Sequence, residues 1–311
     1  MKREQLIIPS QRAIFECYKR AGRKENILLV GTIGAGKSAT INTITAVLAG
    51  DKSYRAPTGS KGKGPRKRTT THLIWYGKCG IDGSKVKEIS VPKSFPDLVD
   101  MTGLNVADDS TKSMEELLEM IVMGRIPDKT SVPALIDLQQ SKGSWSLRRS
   151  FPYSINSRKI HKILFVASAD EPIPKGLIQC VKNVAQPDGS AKNLNPRYIP
   201  IFGILTNPDL VDWKDKKILE REDEFLDCLG LDSGSSYARW KNDAEGDFTS
   251  GHLYFLSKLL SPNVRIVLDQ PSLFGYLFDI LVDHPILFMS TICIAISAAY
   301  FYFYTYLQST V

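Results

Sequence analysis

Gly31-Thr32-Ile33-Gly34-Ala35-Gly36-Lys37-Ser38 is the stretch of sequence that decides the fold. It matches the pattern Gly-x-x-x-x-Gly-Lys-Ser/Thr, whose backbone wraps around a phosphate group. The preceding run, residues 26–30, is almost wholly apolar and predicts a strand buried on both faces of a parallel sheet. After the loop, Ile41, Ile44 and Leu48 recur at helical spacing. The sequence therefore predicts a strand, a phosphate loop and a helix.

The chemistry of this loop comes from its backbone and from two side chains. Its glycines let successive N–H groups point inward, and the following helix directs its positive dipole end at the same place. We expect Lys37 to reach the β- and γ-phosphates of a nucleotide and Ser38 to ligate Mg²⁺. The predicted nucleotide-binding residues of the loop are Gly31, Gly34, Ala35, Gly36, Lys37, Ser38 and Ala39.

Similar apolar runs alternate with helical patterns along the chain. The alternation predicts an α/β fold, a doubly wound P-loop GTPase-like domain. An amphipathic helix is predicted over residues 11–22, ahead of this domain. Two stretches rich in Gly, Pro, Ser and Lys, residues 50–70 and 124–157, are predicted to be irregular. Further strands are predicted at 72–76, 162–166, 199–205 and 253–256, and helical spacing recurs near Met114, Leu118 and Ile121 and near Leu177, Val181 and Val184.

A second acid for the metal follows another predicted strand. Asp100-Met101-Thr102-Gly103 reads as Asp-x-x-Gly, in which Asp100 holds Mg²⁺ through water and the Gly103 N–H senses the γ-phosphate. One of Thr69, Thr70 and Thr71 is expected to close over Mg²⁺ when a γ-phosphate is bound. Thr70 stands as the predicted metal ligand, although the sequence does not decide among the three.

Base choice is predicted from a later acid. Thr206-Asn207-Pro208-Asp209 resembles the Asn/Thr-Lys-x-Asp element of GTPases, in which the carboxylate accepts hydrogen bonds from guanine N1 and N2. Adenine has no such donors on that edge, so Asp209 favours guanine. Asn207 stands where the usual Lys covers the base. Ser257 and Lys258 follow the predicted strand 253–256, where GTPases place a backbone contact to guanine O6.

Charge and cysteine content argue against a general nucleic-acid-binding protein and against a fold held by disulfides or zinc. The formal net charge is +7, and five of the surplus charges lie in the acid-free run 61–68, so the chain as a whole is not a nucleic-acid binder by composition. We expect that run to be a solvated, flexible switch loop; the alternative is that it contacts lipid, nucleic acid or a protein. The five cysteines are odd in number and widely spaced, which argues against disulfides or a zinc site.

The end of the chain has the opposite character. Residues 285–311 carry no charge, and 286–307 form a mostly apolar stretch long enough to cross a bilayer as a helix. We predict an N-terminal helix at 1–24, the nucleotide-binding domain at 25–284 and a transmembrane tail anchor at 286–307. The domain would face the cytoplasm, from either an endomembrane or the outer mitochondrial membrane. Small residues at four-residue spacing leave a homodimer through this helix open: Thr291, Ala295 and Ala299.

From residue 26 to 283 the order of parts resembles the interferon-induced 44-type GTPase-like proteins. The resemblance is carried by Gly-Ala-Gly-Lys-Ser, by Asp-Met-Thr-Gly-Leu, by the segment 117–133, by Arg158-Lys159-Ile160-His161 and by residues 206–209. It implies a small-GTPase-like or dynamin-related fold, a cytoplasmic location, GTP/GDP and Mg²⁺ as ligands, and a link to the innate immune response. The GTPases of immunity-associated proteins share the Gly-Ala-Gly-Lys-Ser-Ala-Thr stretch and include tail-anchored members, but the middle of the chain is less similar to them.

Hydrolysis is less well supported than binding. Ras-like GTPases place a water-orienting Gln directly after Asp-x-x-Gly, and this chain has Leu104 there. We therefore expect a GTP-binding switch with slow or partner-dependent hydrolysis, whose loops 50–71 and 104–112 change order with the γ-phosphate. Two alternatives remain: an ATP-binding P-loop enzyme, and a non-enzymatic membrane scaffold with a degraded nucleotide site.

Overall fold

The computed structural model describes residues 3–22, 24–49, 56–58, 70–81, 85–86, 89–104, 111–143, 145–186, 198–242 and 250–262. Within these ranges the helices are α1 (Arg3–Ala21), α2 (Lys37–Ala49), α3 (Thr111–Val122), α4 (Val132–Lys142), α5 (Ser146–Ser150), α6 (Lys175–Ala185), α7 (Lys216–Leu229) and α8 (Ser250–Leu259). The strands are β1 (Asn26–Gly31), β2 (Ile74–Tyr76), β3 (Lys85–Val86), β4 (Ile89–Ser90), β5 (Asp97–Asp100), β6 (Lys162–Ser168), β7 (Ile201–Thr206) and β8 (Tyr237–Trp240).

A mixed sheet organises the domain. In the part of the chain that the structure describes, six strands lie in the order β2-β5-β1-β6-β7-β8, and β3 and β4 form a separate hairpin. The pairs from β5 to β8 are parallel, and β2 runs antiparallel to β5. β1 is central, with β5 on one side and β6 on the other, so the chain reverses its direction of winding there. In open α/β sheets such a point is where ligands bind, beyond the carboxyl ends of the strands.

Both faces of the sheet are covered by helices, as the predicted doubly wound arrangement requires. Leu28 and Val30 of β1 face a core built with α3, α6 and α7. Ile27 and Leu29 alternate to the other face, where the core includes α1, α2 and α8. This strict alternation follows from the period of two in a strand, and burial on both faces explains why β1 has no polar side.

Helix α1 belongs to the second of these cores. Phe15 and Tyr18 pack edge-on against Phe95, with ring centroids 4.9 and 5.3 Å apart. The helix begins at Arg3 rather than at the predicted residue 11. The apolar residues in its first turns, Leu6, Ile7 and Ile8, are adjacent and therefore carry no helical spacing.

Two predictions of secondary structure were wrong. Residues 124–157 are not an irregular loop, because they contain α4 and α5. Pro133 occupies the first turn of α4, where its missing N–H is harmless, and Gly143 follows the last turn, so helix-end signals were taken for loop signals. The run 253–256 is not a strand but part of α8, since a short apolar run cannot by itself distinguish the two.

The predicted tail anchor, residues 286–307, lies outside the described residues, as do most of the loop 50–70 and residues 105–110. Among the helices that the structure does describe, none combines the length and the apolar character needed to span a bilayer.

Candidate functional site

The phosphate loop lies at the carboxyl end of β1, between Gly31 and the first residue of α2, Lys37. Gly34 and Gly36 have φ angles of 78° and 93°, which side-chain-bearing residues rarely adopt. At Gly31 a Cβ atom would lie 2.0 Å from the Val166 carbonyl oxygen, so this position has no room for a side chain. The predicted strand, loop and helix are confirmed, and the glycines have the backbone roles that a tight loop demands.

Lys37 is buried and folds back over the loop. Its Nζ donates to the carbonyl oxygens of Gly31, at 3.1 Å, and Thr32, at 2.8 Å. Burial lowers the pKa of Lys37 from 10.5 to about 8, although nearby Asp100 acts in the opposite direction. A buried cation that is held by two carbonyl groups suits a site that receives a polyanion.

Three oxygen-bearing side chains meet beside the loop. Ser38 Oγ donates to Asp100 Oδ2 at 2.6 Å and lies 3.1 Å from Thr70 Oγ1. Thr70 Oγ1 also donates to Asp100 Oδ2, at 3.5 Å. The structure thus brings together the three predicted metal ligands. It also separates the candidate threonines, since the Thr71 hydroxyl lies 2.9 Å from His72 Nδ1 and Thr69 is outside the described residues.

The donor set fits Mg²⁺. Asp100 is completely buried, and its Oδ1 finds no hydrogen-bond partner in the described part of the chain. Burial raises the pKa of Asp100, while the bonds from Ser38 and Thr70 and the charge of Lys37 oppose that rise. A cation at Oδ1 would satisfy the orphaned oxygen, and hard oxygen ligands are the ones Mg²⁺ prefers. No cluster of three His, Cys, Asp or Glu side chains suited to a metal occurs among the described residues, so further ligands would come from phosphate and water.

The segment after Asp100 is packed against the phosphate loop. At Gly103 a Cβ atom would lie 2.3 Å from Ile33 Cα, and the Leu104 N–H donates to the Gly31 carbonyl at 3.1 Å. Thr102 Oγ1 is buried and finds no partner among the described residues. The close approach of the two backbones requires glycine at 103. Leu104 is 2% exposed and offers only its backbone to hydrogen bonding, so its side chain cannot orient an attacking water.

The predicted base-recognition element lies at the carboxyl end of β7. Thr206 Oγ1 lies 2.7 Å from the Ala35 carbonyl oxygen and 3.1 Å from that of Ala167, and its single O–H can donate to either of them. Asn207 has a φ angle of 55° and donates from Nδ2 to Ser168 Oγ at 2.7 Å. Asp209 follows in a short 3₁₀ turn with its side chain exposed. The element is therefore tied to the phosphate loop through Thr206, while Asp209 is left accessible to a ligand.

The positional argument for Ser257 and Lys258 was wrong. Both residues lie inside α8 and not in a loop after a strand, because the run preceding them is helical. The last strand among the described residues is β8, and the residues that follow it are Lys241 and Asn242. The strand escaped prediction because it has only four residues and its buried ones, Tyr237 and Trp240, are three positions apart, which is not the period of two that predicts a strand.

Asn242 is a site residue that the sequence did not indicate. It bridges β8 to the phosphate loop: its Oδ1 accepts from Trp240 Nε1 at 3.0 Å and from Thr40 Oγ1 at 3.2 Å, and its Nδ2 donates to the Gly36 carbonyl at 3.4 Å. Had β8 been predicted, the position of Asn242 two residues after the end of that strand would have indicated it as a site residue.

Comparison with solved structures gives weak likenesses. The chain is similar to the crystal structure of Toc33 from Arabidopsis thaliana in complex with GDP and Mg²⁺, with a TM-score of 0.42, 12% sequence identity, and coverage of 82% of this chain and 90% of that one. No protein-family model matches the chain, and no curated protein sequence does. The resemblance to interferon-induced 44-type proteins therefore gains no support here. GDP and Mg²⁺ are ligands of Toc33, and the ligands of the present chain are inferred below from its own residues.

Proposed function

We propose that the protein is a guanine-nucleotide-binding switch that uses Mg²⁺ and is anchored to a membrane by residues 286–307. One observation carries the nucleotide part of the proposal: a phosphate loop with a buried Lys37 lies next to Ser38, Thr70 and Asp100, whose Oδ1 finds no hydrogen-bond partner among the described residues. Buried, underpaired groups of both signs at one edge of a sheet are expected where a charged ligand completes the set.

Each group has a distinct role in this proposal. The loop N–H groups and Lys37 hold the phosphates, and Ser38, Thr70 and Asp100 hold Mg²⁺. When bound, Mg²⁺ supplies positive charge that neutralises the phosphate oxygens. Thr70 and Gly103 belong to the segments expected to sense the γ-phosphate, and Gly103 already contacts the loop at Ile33. Binding of a triphosphate would thus contact segments that precede and follow β5 in the sequence.

Guanine preference is assigned to Asp209. Its carboxylate is exposed at the end of β7, and Thr206 anchors that end to Ala35 of the phosphate loop. A carboxylate accepts from the two donors of guanine and has none to accept from on the matching edge of adenine. Since Asn207 bonds to Ser168 and is not a Lys, we propose a modest affinity for the base.

Hydrolysis is proposed to be slow unless a partner contributes a catalytic group, because Leu104 replaces the water-orienting Gln. Anchoring rests on the uncharged stretch 285–311, and tethering would raise the local concentration of copies and favour pairing. A role in innate immunity rests only on the family resemblance.

Titration of fluorescent GTP and ATP analogues against the full chain in detergent micelles, with Mg²⁺, tests the nucleotide assignment. We expect GTP to bind in preference to ATP and Lys37→Ala to abolish both. Asp209→Asn should reduce the preference for GTP by about tenfold to 100-fold, the contribution of hydrogen bonds to a charged acceptor. Asp212→Asn, an exposed acid three residues on, is the matched control and should leave the preference unchanged.

The outcomes separate the alternatives. Equal binding of ATP and GTP that is indifferent to Asp209 would support an ATP-binding P-loop enzyme. Failure of both nucleotides to bind, in a chain whose fold is intact by circular dichroism, would support a scaffold that kept the fold and lost the ligand.

A further inference from the structure

A strip of exposed aromatic and basic side chains lies far from the nucleotide site. The segment 142–159 contains five basic residues and no acidic one. Within it Trp145 is 61% exposed, Tyr153 71% and Ile155 40%. Large apolar side chains exposed singly are normal on a protein surface, but a group of them near one another is informative. We call this surface the aromatic–basic strip and define it by four exposed residues, Trp145, Arg149, Tyr153 and Ile155, and by the half-buried Arg158.

The strip follows helix α3. The Trp145 N–H donates to Glu116 Oε1 at 3.2 Å, Arg148 bonds to Glu119 Oε2 at 2.8 Å, and the Ile155 N–H donates to the Gly124 carbonyl at 3.2 Å. These contacts advance along α3 from its middle to just beyond its end, a span of about 12 Å at 1.5 Å per residue. Trp145 and Ile155 therefore mark the two ends of one continuous surface.

The acids near the strip are already engaged. Glu119 forms an ion pair with Arg148, whose guanidinium also lies 5.1 Å from the centre of the Trp145 ring. Glu116 accepts from Gln139 Nε2 as well as from the Trp145 backbone. The other basic residues of the segment add charge with no acid of the segment to offset it, so the strip as a whole is positive.

One end of the strip lies at the amino edge of the sheet, opposite the phosphate loop. Asn26, the first residue of β1, donates from Nδ2 to the carbonyls of Ser157 and Lys159. At the same edge Lys162, the first residue of β6, donates to the carbonyls of Leu259 and Ser261. The described domain thus ends, at residue 262, at the edge where the strip ends. The 49 residues that follow include the predicted membrane helix.

We propose that the aromatic–basic strip binds the surface of a bilayer containing anionic phospholipids. Indole, phenol and aliphatic side chains partition to the boundary between headgroups and acyl chains, and each nearby Arg or Lys is attracted by the anionic leaflet. Ile155 favours this partner over nucleic acid, since an aliphatic side chain neither stacks on bases nor bonds to phosphate. Contact at this edge leaves the nucleotide site, at the opposite edge, facing the cytoplasm. The contact is independent of bound nucleotide and thus goes beyond the switch function proposed above.

Quenching of tryptophan fluorescence by brominated acyl chains tests this contact. The full chain, reconstituted into or added to vesicles, is compared in phosphatidylcholine alone and in phosphatidylcholine mixed with phosphatidylserine. We expect phosphatidylserine-dependent quenching that disappears in Trp145→Phe. Arg149→Glu with Arg158→Glu should shift the contact equilibrium by more than about tenfold, because each basic residue near an anionic surface contributes about fivefold.

A control variant tests whether charge alone explains the effect. Lys214→Glu with Lys217→Glu makes the same change in net charge at exposed positions after the carboxyl end of β7, and it should leave the quenching of Trp145 unaltered. If the tail does not insert, the Trp145 signal is still expected on added vesicles, so a failed anchor and a failed strip give different results. Two results would overturn the proposal. The first is a lack of Trp145-dependent quenching in vesicles that contain phosphatidylserine, and the second is a Trp145 signal that saturates with an oligonucleotide but not with vesicles.

Discussion

Two buried lysines at opposite edges of the same sheet have different surroundings. At the amino edge, Lys162 lies 3.1 Å from Glu25 Oε2 and also donates to the carbonyls that end α8. At the carboxyl edge, Lys37 donates to two carbonyls of its own loop, and one oxygen of its neighbour Asp100 makes no hydrogen bond within the part of the chain that the structure describes. The opposite charges at the first edge form an ion pair, whereas within the described residues Lys37 and Asp100 at the second edge form none, so only the first set is matched in charge.

The difference separates a structural from a functional use of buried charge. A buried charge is costly unless it is paired and hydrogen-bonded, so a matched pair such as Lys162 and Glu25 suits a position that never changes. An incompletely matched set is tolerated where a ligand supplies the remaining partners. We therefore expect substitutions at the amino edge to alter stability and those at the carboxyl edge to alter ligand binding, with stability moving the opposite way.

The largest expected effect is at the amino edge. Lys162→Met removes the cation from Glu25 and two hydrogen bonds that tie β6 to the end of α8. Breaking a buried pair by removing one partner destabilises a protein by about 3–5 kcal/mol. The free energy of unfolding should fall by that amount in urea denaturation of the full chain followed by tryptophan fluorescence.

The matched control is Glu25→Gln in the Lys162→Met background. It removes the isolated carboxylate and should recover part of the loss, which a double-mutant cycle measures. Equal losses in the single and double variants would mean that the carbonyl contacts, and not the ion pair, hold this edge together.

The opposite sign is expected for Lys37→Met in the absence of nucleotide. The pKa of Lys37 is about 8 in the folded chain and 10.5 ordinarily, so its buried charge destabilises the fold fully below pH 8 and less as the pH rises toward 10.5. That shift corresponds to about 3 kcal/mol. The stability advantage of Lys37→Met over the unsubstituted chain should thus be largest near pH 7 and shrink by pH 10, as measured by urea denaturation at each pH. An advantage that is constant with pH would mean that the Lys37 charge is not destabilising.

The phosphate-loop half of the candidate site could be predicted from the sequence to a large extent, because its pattern is local. Gly31 to Ser38 is one unbroken run whose residue types are each needed for a tight, phosphate-binding turn. Asp100 and Gly103 stand three residues apart at the end of a short strand, β5. The parallel pairing of β1 with β5 then brings Ser38 and Asp100 together without further information.

The rest depends on contacts that no local pattern encodes. Asn242 reaches the phosphate loop only because β8 pairs with β7. The four residues of β8 are too few, and too mixed in polarity, to be recognised as a strand from the sequence. Placing the last strand at 253–256 moved the predicted base contact to Ser257 and Lys258, which lie in a helix. The side chains of adjacent residues point in different directions, and the sequence does not show whether Thr70 or Thr71 turns toward Ser38. In the structure it is Thr70, while the Thr71 hydroxyl lies beside His72.

A smaller effect is expected for Asp100→Asn, in binding more than in stability. The carboxylate is the one charged group proposed to hold Mg²⁺, and loss of such a partner typically lowers affinity for a metal site by about 10–100-fold. Nucleotide affinity in Mg²⁺ should therefore fall to the level that the unsubstituted chain shows with EDTA.

The stability of the Asp100→Asn chain provides the control. Burial raises the pKa of Asp100, so the ionised form is disfavoured in the fold; its destabilising effect is present above the folded pKa and vanishes below the ordinary one. The apo variant should therefore melt higher than the unsubstituted chain at pH 7 and lose that advantage in acid. A lower melting temperature at pH 7 would place Asp100 with the matched charges of the amino edge.

The smallest expected effect is at Asn242, whose substitution should alter both stability and ligand binding. Its amide joins the end of β8 to Gly36 and Thr40 but carries no charge, so Asn242→Ala should lower the free energy of unfolding by about 1 kcal/mol. Because Gly36 lies in the loop that would hold the phosphates, nucleotide affinity should fall with it, whereas Lys162→Met should leave affinity unchanged under conditions where that variant is folded. Isothermal titration of GDP with both variants decides the matter. Unchanged affinity in Asn242→Ala would show that the phosphate loop keeps its shape without support from the last strand, and it would confine the functional edge to β1, β5 and β7.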